Sequence, residues 1–294
     1  MVKRSVRPTS DQGTSVTTML SGEEVALLHG LARQFQGRGA IVDAGCFLGG
    51  STVALASGLR ASKRARAGII HSYDLLRADP WQMAGYSQVV DKLEPGTSVR
   101  HLFEQNVKPY RKLITLHEGD ILEAHWPGEP VEILFVDICK SWDLNAHIVR
   151  EFFGSLIPGQ SIMVQQDLVH WGHPWCAIVM ETLGHRFEYL GWTWYSSSVW
   201  KCKSRPTEEE LSIDWRDGIG LERGLELLRS AAQRHGGWAE VELELARASL
   251  LFQFGEAERA LAEVDRVEGV WGTSVPDIEN GYSAIRIQAM DMLA

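Results

Sequence analysis

A chain of 294 residues with 45% apolar content can bury a sizeable core, and it is long enough for one large domain or one ordinary domain plus an appendage. No apolar run approaches the roughly 18–20 residues of a membrane helix, so no membrane partner is expected, and a net charge of −9 without a strongly basic part argues against nucleic acid. Cys46, Cys139, Cys176 and Cys202 are scattered without a CxxC, and read as free thiols of a reducing compartment rather than a disulfide frame or a zinc site.

Residues 1–20 carry Lys3, Arg4 and Arg7 but no apolar stretch of the kind a signal peptide has, and read as a flexible arm of a cytoplasmic protein. Ser21-Gly22-Glu23-Glu24 fits a capping box, and Val25, Leu27, Leu28, Leu31 and Ala32 give a helical stripe through about Phe35. Ala40 to Val42 reads as a buried strand ending in Asp43. A glycine-rich turn follows, and a helix restarts at Ser51. Gly45, Gly49 and Gly50 have no Cβ, so a ligand is expected to approach bare backbone there and meet the N–H groups of the helix start. Arg60, Lys63, Arg64 and Arg66 are the nearest thing to a basic patch and suit a helix C-terminus.

Ile69 to Asp74 is a second strand ending in an acid. Residues 75–95, with Pro80-Trp81, Met83, Gly85 and Tyr86, are too broken for one regular element and read as a lid. Ser98 to Val107 looks helical, Leu113 to Leu116 is a short strand leading to Gly119-Asp120-Ile121, and Val131 to Val136 is a central strand ending at Asp137. A helix over 143–153 leads to strand Ser161 to Val164 and then Gln165-Gln166-Asp167. A helix near 175–183 follows, then an antiparallel pair, 187–194 and 198–202, joined by Tyr195-Ser196-Ser197.

Strands alternating with helices imply right-handed crossovers: an α/β, Rossmann-like, seven-stranded, mostly parallel sheet with an antiparallel last strand. Ligands of such sheets bind at the carboxyl ends of the strands, where Asp43, Asp74, Asp120, Asp137 and Asp167 all fall. After Arg205-Pro206 the pattern turns helical and the charge changes. Residues 1–205 hold 21 Lys+Arg and 20 Asp+Glu, whereas 206–294 hold 8 Arg, no Lys and 18 Asp+Glu. A boundary is expected there, giving an arm over 1–20, an enzyme domain over 21–205 and an acidic helical extension over 206–294. Residues 238–254 and 256–267 look like one tetratricopeptide-type hairpin, and 277–293 like a final amphipathic helix that caps the domain, makes a homodimer or helps form the pocket.

Asp43-x-Gly45-x-x-x-Gly49-x-Ser51 lacks the GxGxxG spacing of a dinucleotide site. Its acid-first pattern, over Ile41 to Leu55, resembles motif I of class I S-adenosylmethionine-dependent methyltransferases. Phe47-Leu48-Gly49-Gly50-Ser51-Thr52 is especially similar to the small-molecule O-methyltransferases of the macrocin and catechol type. The resemblance covers roughly residues 20–203. It implies S-adenosylmethionine held by Asp43, Gly45, Cys46, Phe47, Gly49, Ser51 and Thr52, with Asp74 on the ribose hydroxyls and Asp120 and Ile121 at the adenine. A bland alternative stands beside each acid: Asp74 as a cap, and Asp120 as a turn residue.

The resemblance further implies that Asp137 touches the cofactor and binds Mg²⁺ and that Lys140, three residues on, is the base. The alternative is a surface Lys140 paired with Asp143. The remaining metal ligands would be Gln166 and Asp167, where Gln166 departs from the charged residue usual in the family. His170, or His173, is an alternative base in the loop that follows, since imidazole is poised for that at neutral pH. His147 lies upstream. Trp81, Trp142, Trp171 and Trp175 offer aromatic walls to a flat or sugar-like acceptor, while Trp192, Trp194 and Trp200 read as core. The function implied is methyl transfer to a hydroxyl of a small specialised metabolite. The alternatives are metal-independent N-methylation, or a non-catalytic cofactor-binding protein acting through its tail.

Overall fold

The computed structural model describes residues 16–62, 64–78, 93–193, 196–273, 275 and 278–293. The expected lid over 75–95 lies largely outside them, as do Trp81, Trp194 and most of the N-terminal arm. The chain divides into two compact units, Met1–Asp137 and Ile138–Ala294.

The first unit opens with α1 (Gly22–Arg33), whose capping box is formed as the sequence implies: the Ser21 side chain accepts from the Glu24 amide at 3.2 Å, and Glu24 accepts from the Ser21 amide at 2.8 Å. There follow β1 (Ala40–Ala44), α2 (Gly50–Ala61), β2 (Ile70–Asp74), α3 (Arg100–Val107), a 3₁₀ turn (Lys108–Leu113), β3 (Ile114–Glu118) and β4 (Val131–Val136). β1 pairs in parallel with both β2 and β4, and β2 with β3. β1 and β4 are buried along their whole length, which is why each reads as an apolar run with a single acid, Asp43 or Glu132, rather than as an alternating strand.

The second unit contains α4 (Trp142–Phe152), β5 (Ile162–Gln165), α5 (Pro174–Thr182), β6 (Phe187–Trp192), β7 (Ser198–Cys202), the single-turn α6 (Glu208–Leu211), α7 (Leu221–His235), α8 (Gly237–Gln253), α9 (Ala257–Trp271) and α10 (Ile278–Leu293). The sheet order is β3-β2-β1-β4-β5-β7-β6, with β7 antiparallel to both β5 and β6. This is the Rossmann-like, mostly parallel sheet with an antiparallel last strand that the alternation of elements implies. β6 stops at Trp192, two residues short of the expected end.

The helical region has two elements more than the sequence implies, the single-turn α6 and the longer α7. α7 buries Leu225, Leu228, Ala231 and Ala232 at helical spacing, but Gly220, Gly224, Gly236 and Gly237 break the pattern within and around it. α7 packs against α5 and α8, and α9 against α8 and α10. All four cysteines are free thiols and buried. No helix among the described residues is long and apolar enough to cross a membrane.

α1 lies close against α2, and a Cβ at Gly58 would overlap the backbone carbonyl of His29. Helix propensity alone favours Gly58→Ala by about 1 kcal/mol. Overpacking against a backbone atom costs about 1–3 kcal/mol. Packing is therefore expected to win: thermal unfolding of Gly58→Ala falls below wild type, and a rise in Tm would contradict this helix contact.

Candidate functional site

The turn after β1 is tied down by β2. The amides of Gly45 and Cys46 both donate to the Tyr73 carbonyl, at 2.9 and 3.2 Å, and the Phe47 amide donates to Asp74 Oδ2 at 2.8 Å. Asp74 Oδ1 accepts from the Leu76 amide at 2.7 Å. One carboxylate thus fixes the turns after β1 and β2 and keeps acceptor capacity in reserve, because an ionised carboxylate has about four lone-pair sites. Burial raises its pKa, and the two amide hydrogen bonds oppose the rise.

Two separate constraints act on the glycines, and Gly49 meets both. Gly45 (φ 96°) and Gly49 (φ 90°) adopt left-handed backbone that a side chain would strain. The space beside Gly49 and Gly50, however, is taken by protein. A Cβ on Gly49 would meet Val107 Cγ1 at 3.0 Å and Phe103 at 3.2 Å, and one on Gly50 would overlap Thr18. The expectation of bare backbone for a ligand is therefore corrected at these two positions, which admit α3 and the segment before α1. Thr18 and the buried Leu20 lie in the stretch read from sequence as flexible arm, and the described residues 16–20 pack onto the turn: Val16 and Met19 join the cluster of Cys46, Phe47, Leu48 and Phe103.

Asp43 is fully buried at the end of β1. Its Oδ2 accepts from Ser51 Oγ at 3.0 Å and from Thr52 Oγ1, at the start of α2. Its Oδ1 has no hydrogen-bond partner among the described residues. Burial pushes this carboxyl up to about 6, with the two hydroxyls opposing. α2 starts without a side-chain cap. An acceptor atom without a donor, beside uncapped amides, suits a ligand bearing an ammonium or hydroxyl group, and the residues therefore fit the cofactor that the resemblance implies. Further along the strand ends, Asp120 caps the turn at Ile121, accepting from the Leu122 amide at 2.9 Å. It is exposed, while Ile121 is buried. The Asp137 amide donates to the Ala44 carbonyl at 2.7 Å, which fixes the backbone just past β4.

In the second unit the residues after β5 form a tight polar cluster. Lys140 Nζ pairs with Asp167 Oδ2, not with Asp143. Asp167 Oδ1 accepts from Ser196 Oγ at 3.3 Å, and Gln166 Oε1 accepts from Ser197 Oγ. Asp167 holds φ 58°, the left-handed region that Asp tolerates better than most residues. Burial would raise its carboxyl, but the Lys140 ammonium, with His173 and His170 near it, holds it well below the usual carboxylate range. His173 Nδ1 lies 3.7 Å from Asp167 Oδ2, too far for a hydrogen bond. Burial pushes His173 down to about 4 and lowers His170 as well, so both imidazoles are neutral at pH 7. The two rings stack at 4.7 Å, with Trp171 5.4 Å from His170 and Trp175 5.3 Å from His173.

The Nδ1 atoms of the two histidines have different surroundings. His170 Nδ1 accepts from the Gly172 amide at 2.9 Å, so its proton sits on Nε2, which can donate but not accept. His173 faces Asp167 with Nδ1. That Nδ1 has no hydrogen-bond partner among the described residues, and in the tautomer that protonates it Nε2 is left as an acceptor.

The donor set does not fit a divalent metal. Gln166 offers a neutral oxygen already taken by Ser197, and Asp167 is neutralised by Lys140. Among the described residues, no group of three or more His, Cys, Asp or Glu side chains could hold a metal ion. From sequence, Ser196 and Ser197 read only as a joint between strands. Their signal was a run of three small hydroxyl residues entering a buried strand, where each hydroxyl must find a partner. His147 is buried in α4, and Trp142 and Trp175 meet edge-on at 5.7 Å. Trp200 is buried, as expected of a core residue, while Trp192 is only half-buried and meets Trp238 at 4.9 Å.

Solved structures similar to this chain include S-adenosylmethionine-dependent O-methyltransferases. The O-methyltransferase NovP is 13% identical with a TM-score of 0.49, over 64% of this chain and 82% of that one. An O-methyltransferase of Bacillus cereus in complex with SAH is 15% identical with a TM-score of 0.41, over 62% and 80%. One from Thermotoga maritima is 14% identical with a TM-score of 0.40, over 65% and 69%. No protein-family model and no curated protein matches the chain. Likeness of this degree carries nothing about residues or chemistry, which rest on the geometry above.

The raised Asp43 carboxyl has a measurable consequence. Its folded value, about 6, lies above the ordinary 3.8, so the native state binds the extra proton between about pH 4 and 6. Its contribution to stability is complete below pH 4 and is lost as pH rises through 6, amounting to about 3 kcal/mol. Urea unfolding from pH 4 to 7 should show Asp43→Asn gaining on wild type by about that amount as pH rises. A constant difference between the two proteins would contradict the burial of an ionisable group there.

Proposed function

We propose that the protein transfers a methyl group from S-adenosylmethionine to a hydroxyl of a small molecule, without a divalent metal. The observation that carries the reading is Asp43, a wholly buried carboxylate with one oxygen left without a donor, set where the β1 turn meets α2. Asp43, Gly45, Phe47 and Asp74 would hold the cofactor, with Asp120 and Ile121 at its adenine end. When bound, S-adenosylmethionine supplies an electrophilic methyl group on a sulfonium centre. The chain's own task is then to orient the acceptor and take its proton.

In the second unit Lys140 is poorly suited to that task. Its ammonium is engaged by the Asp167 carboxylate, whereas a base needs a free lone pair facing the acceptor. His173 is the proposed base. Its Nε2 takes the hydroxyl proton, and Asp167, kept ionised by Lys140, steadies the imidazolium that results. His170 donates through Nε2 and so orients an acceptor oxygen rather than deprotonating it. Trp171, half-buried and stacked on His170, supports a flat phenol or a sugar ring, as in specialised metabolites.

The test is product mass after incubation with S-adenosylmethionine and a panel of phenols, polyhydroxylated sugars and amines. A gain of one methyl on a hydroxyl is expected, undiminished by a chelator. His173→Ala should lose about 10²–10⁴ in kcat with cofactor affinity unchanged, and His170→Ala less. Full turnover in His173→Ala would contradict this assignment, and methylation confined to amines would contradict the acceptor class.

A further inference from the structure

We infer that the helical extension is a positioning device for the proton-handling loop, with α8 as its strut and Glu242 as the residue that sets the loop. Glu242 is buried near the start of α8, and its Oε2 accepts the backbone amide of Trp171 at 3.1 Å. That amide lies in the short connection carrying His170 and His173. At the other end of the same helix, Gln253 Oε1 accepts the indole N–H of Trp142 at 2.9 Å, two residues past Lys140. Eleven residues of helix separate Glu242 from Gln253, a rigid span of about 16 Å. One helix therefore holds both the loop bearing the histidines and the start of α4, next to the residue that pairs with Asp167.

The Trp171 indole is seated by the extension too. It lies so close to Gly281 of α10 that a Cβ there would stand 2.8 Å from Nε1 and 3.0 Å from Cδ1. Trp171 in turn stacks on His170, and His170 on His173. α5, which begins directly after His173, packs against α7. The loop is thus held through its backbone, its tryptophan and its following helix, all by residues beyond 205. A free loop of eight residues, 166–173, would not hold two imidazoles in fixed register, and displacement of a reacting group by about 1 Å costs on the order of 100-fold in rate. A burial role alone would be met by an apolar residue at 242. A carboxylate aimed at one loop amide fixes the loop's position instead.

This rests on the proton-transfer role proposed for His173, and the experiment keeps the two apart. Kinetics and amide hydrogen exchange are measured on the full chain for wild type, Glu242→Ala, Glu242→Gln and Gly281→Leu. Expected is a drop in kcat of about 10–100-fold in Glu242→Ala and Gly281→Leu, with cofactor affinity unchanged. Glu242→Gln, whose amide oxygen still accepts from Trp171, should recover most of the rate. Arg266→Ala, which removes ion pairs to Glu244 of α8 and Glu263 of α9, should lower Tm and leave kcat alone. Exchange at Trp171 should rise in Glu242→Ala while α7 to α9 remain protected, and that readout holds even if wild type shows no turnover. Unchanged exchange at Trp171 overturns the inference whatever the kinetics. So does turnover in Glu242→Ala equal to wild type, which would leave methyl transfer itself standing.

Discussion

At the end of β1, Asp43 sits where water does not reach, held by two hydroxyls of the next helix, and its burial raises its pKa to about 6. A side chain so placed works against stability whenever it is ionised. An apolar residue in its position would suit the core better, since desolvation of an unpaired charge is the costliest form of burial. The arrangement around it is consistent with a second demand on the site. The turn is clamped to β2 through Tyr73 and Asp74, Phe103 and Val107 close the space beside Gly49, and Thr18 closes the space beside Gly50. Each of these contacts limits how far the turn can relax to relieve Asp43.

Backbone strain follows the same geography. The non-glycine residues with positive φ among those described are Phe47, Leu76 and Asp167, which come after β1, β2 and β5. Such conformations cost about 1–3 kcal/mol each. Phe47 and Leu76 recover that by burial in one apolar cluster, worth about 1.5–3 kcal/mol apiece. Asp167 is held by different means, an ion pair with Lys140 and a hydroxyl from Ser196. Its strain is therefore offset electrostatically, in a place where burial also keeps two histidines neutral.

Much of this was legible in the sequence because it follows from local pattern. Strands such as Val131–Val136 announce themselves as mostly apolar runs, α1 by its capping box, and the turn after β1 by an acid followed by glycines. The acids at the strand ends were legible for the same reason, since topology alone puts them there. What was hidden depends on contacts far apart in sequence. Nothing local says that Thr18 would fill the space beside Gly50, that Lys140 would choose Asp167 over Asp143, or that Ser197 would occupy Gln166. α7 was missed because its glycines interrupt a pattern that packing against α5 and α8 restores. Glu242 looked like one more charge on an acidic helix, and only burial against Trp171 separates it from its neighbours.

The central claim is that Asp43 belongs to a cofactor site, and proton-linked calorimetry tests it most directly. S-adenosylmethionine is titrated into wild type and Asp43→Asn at pH 5.5, in buffers of different ionisation enthalpy. A donor group reaching Oδ1 would stabilise the ionised carboxylate, so wild type should bind and release up to about three-quarters of a proton, the fraction a carboxyl near 6 holds at this pH. Asp43→Asn should bind more weakly and release none. Equal affinity and equal proton release in the two proteins, or no binding to wild type, would contradict the account.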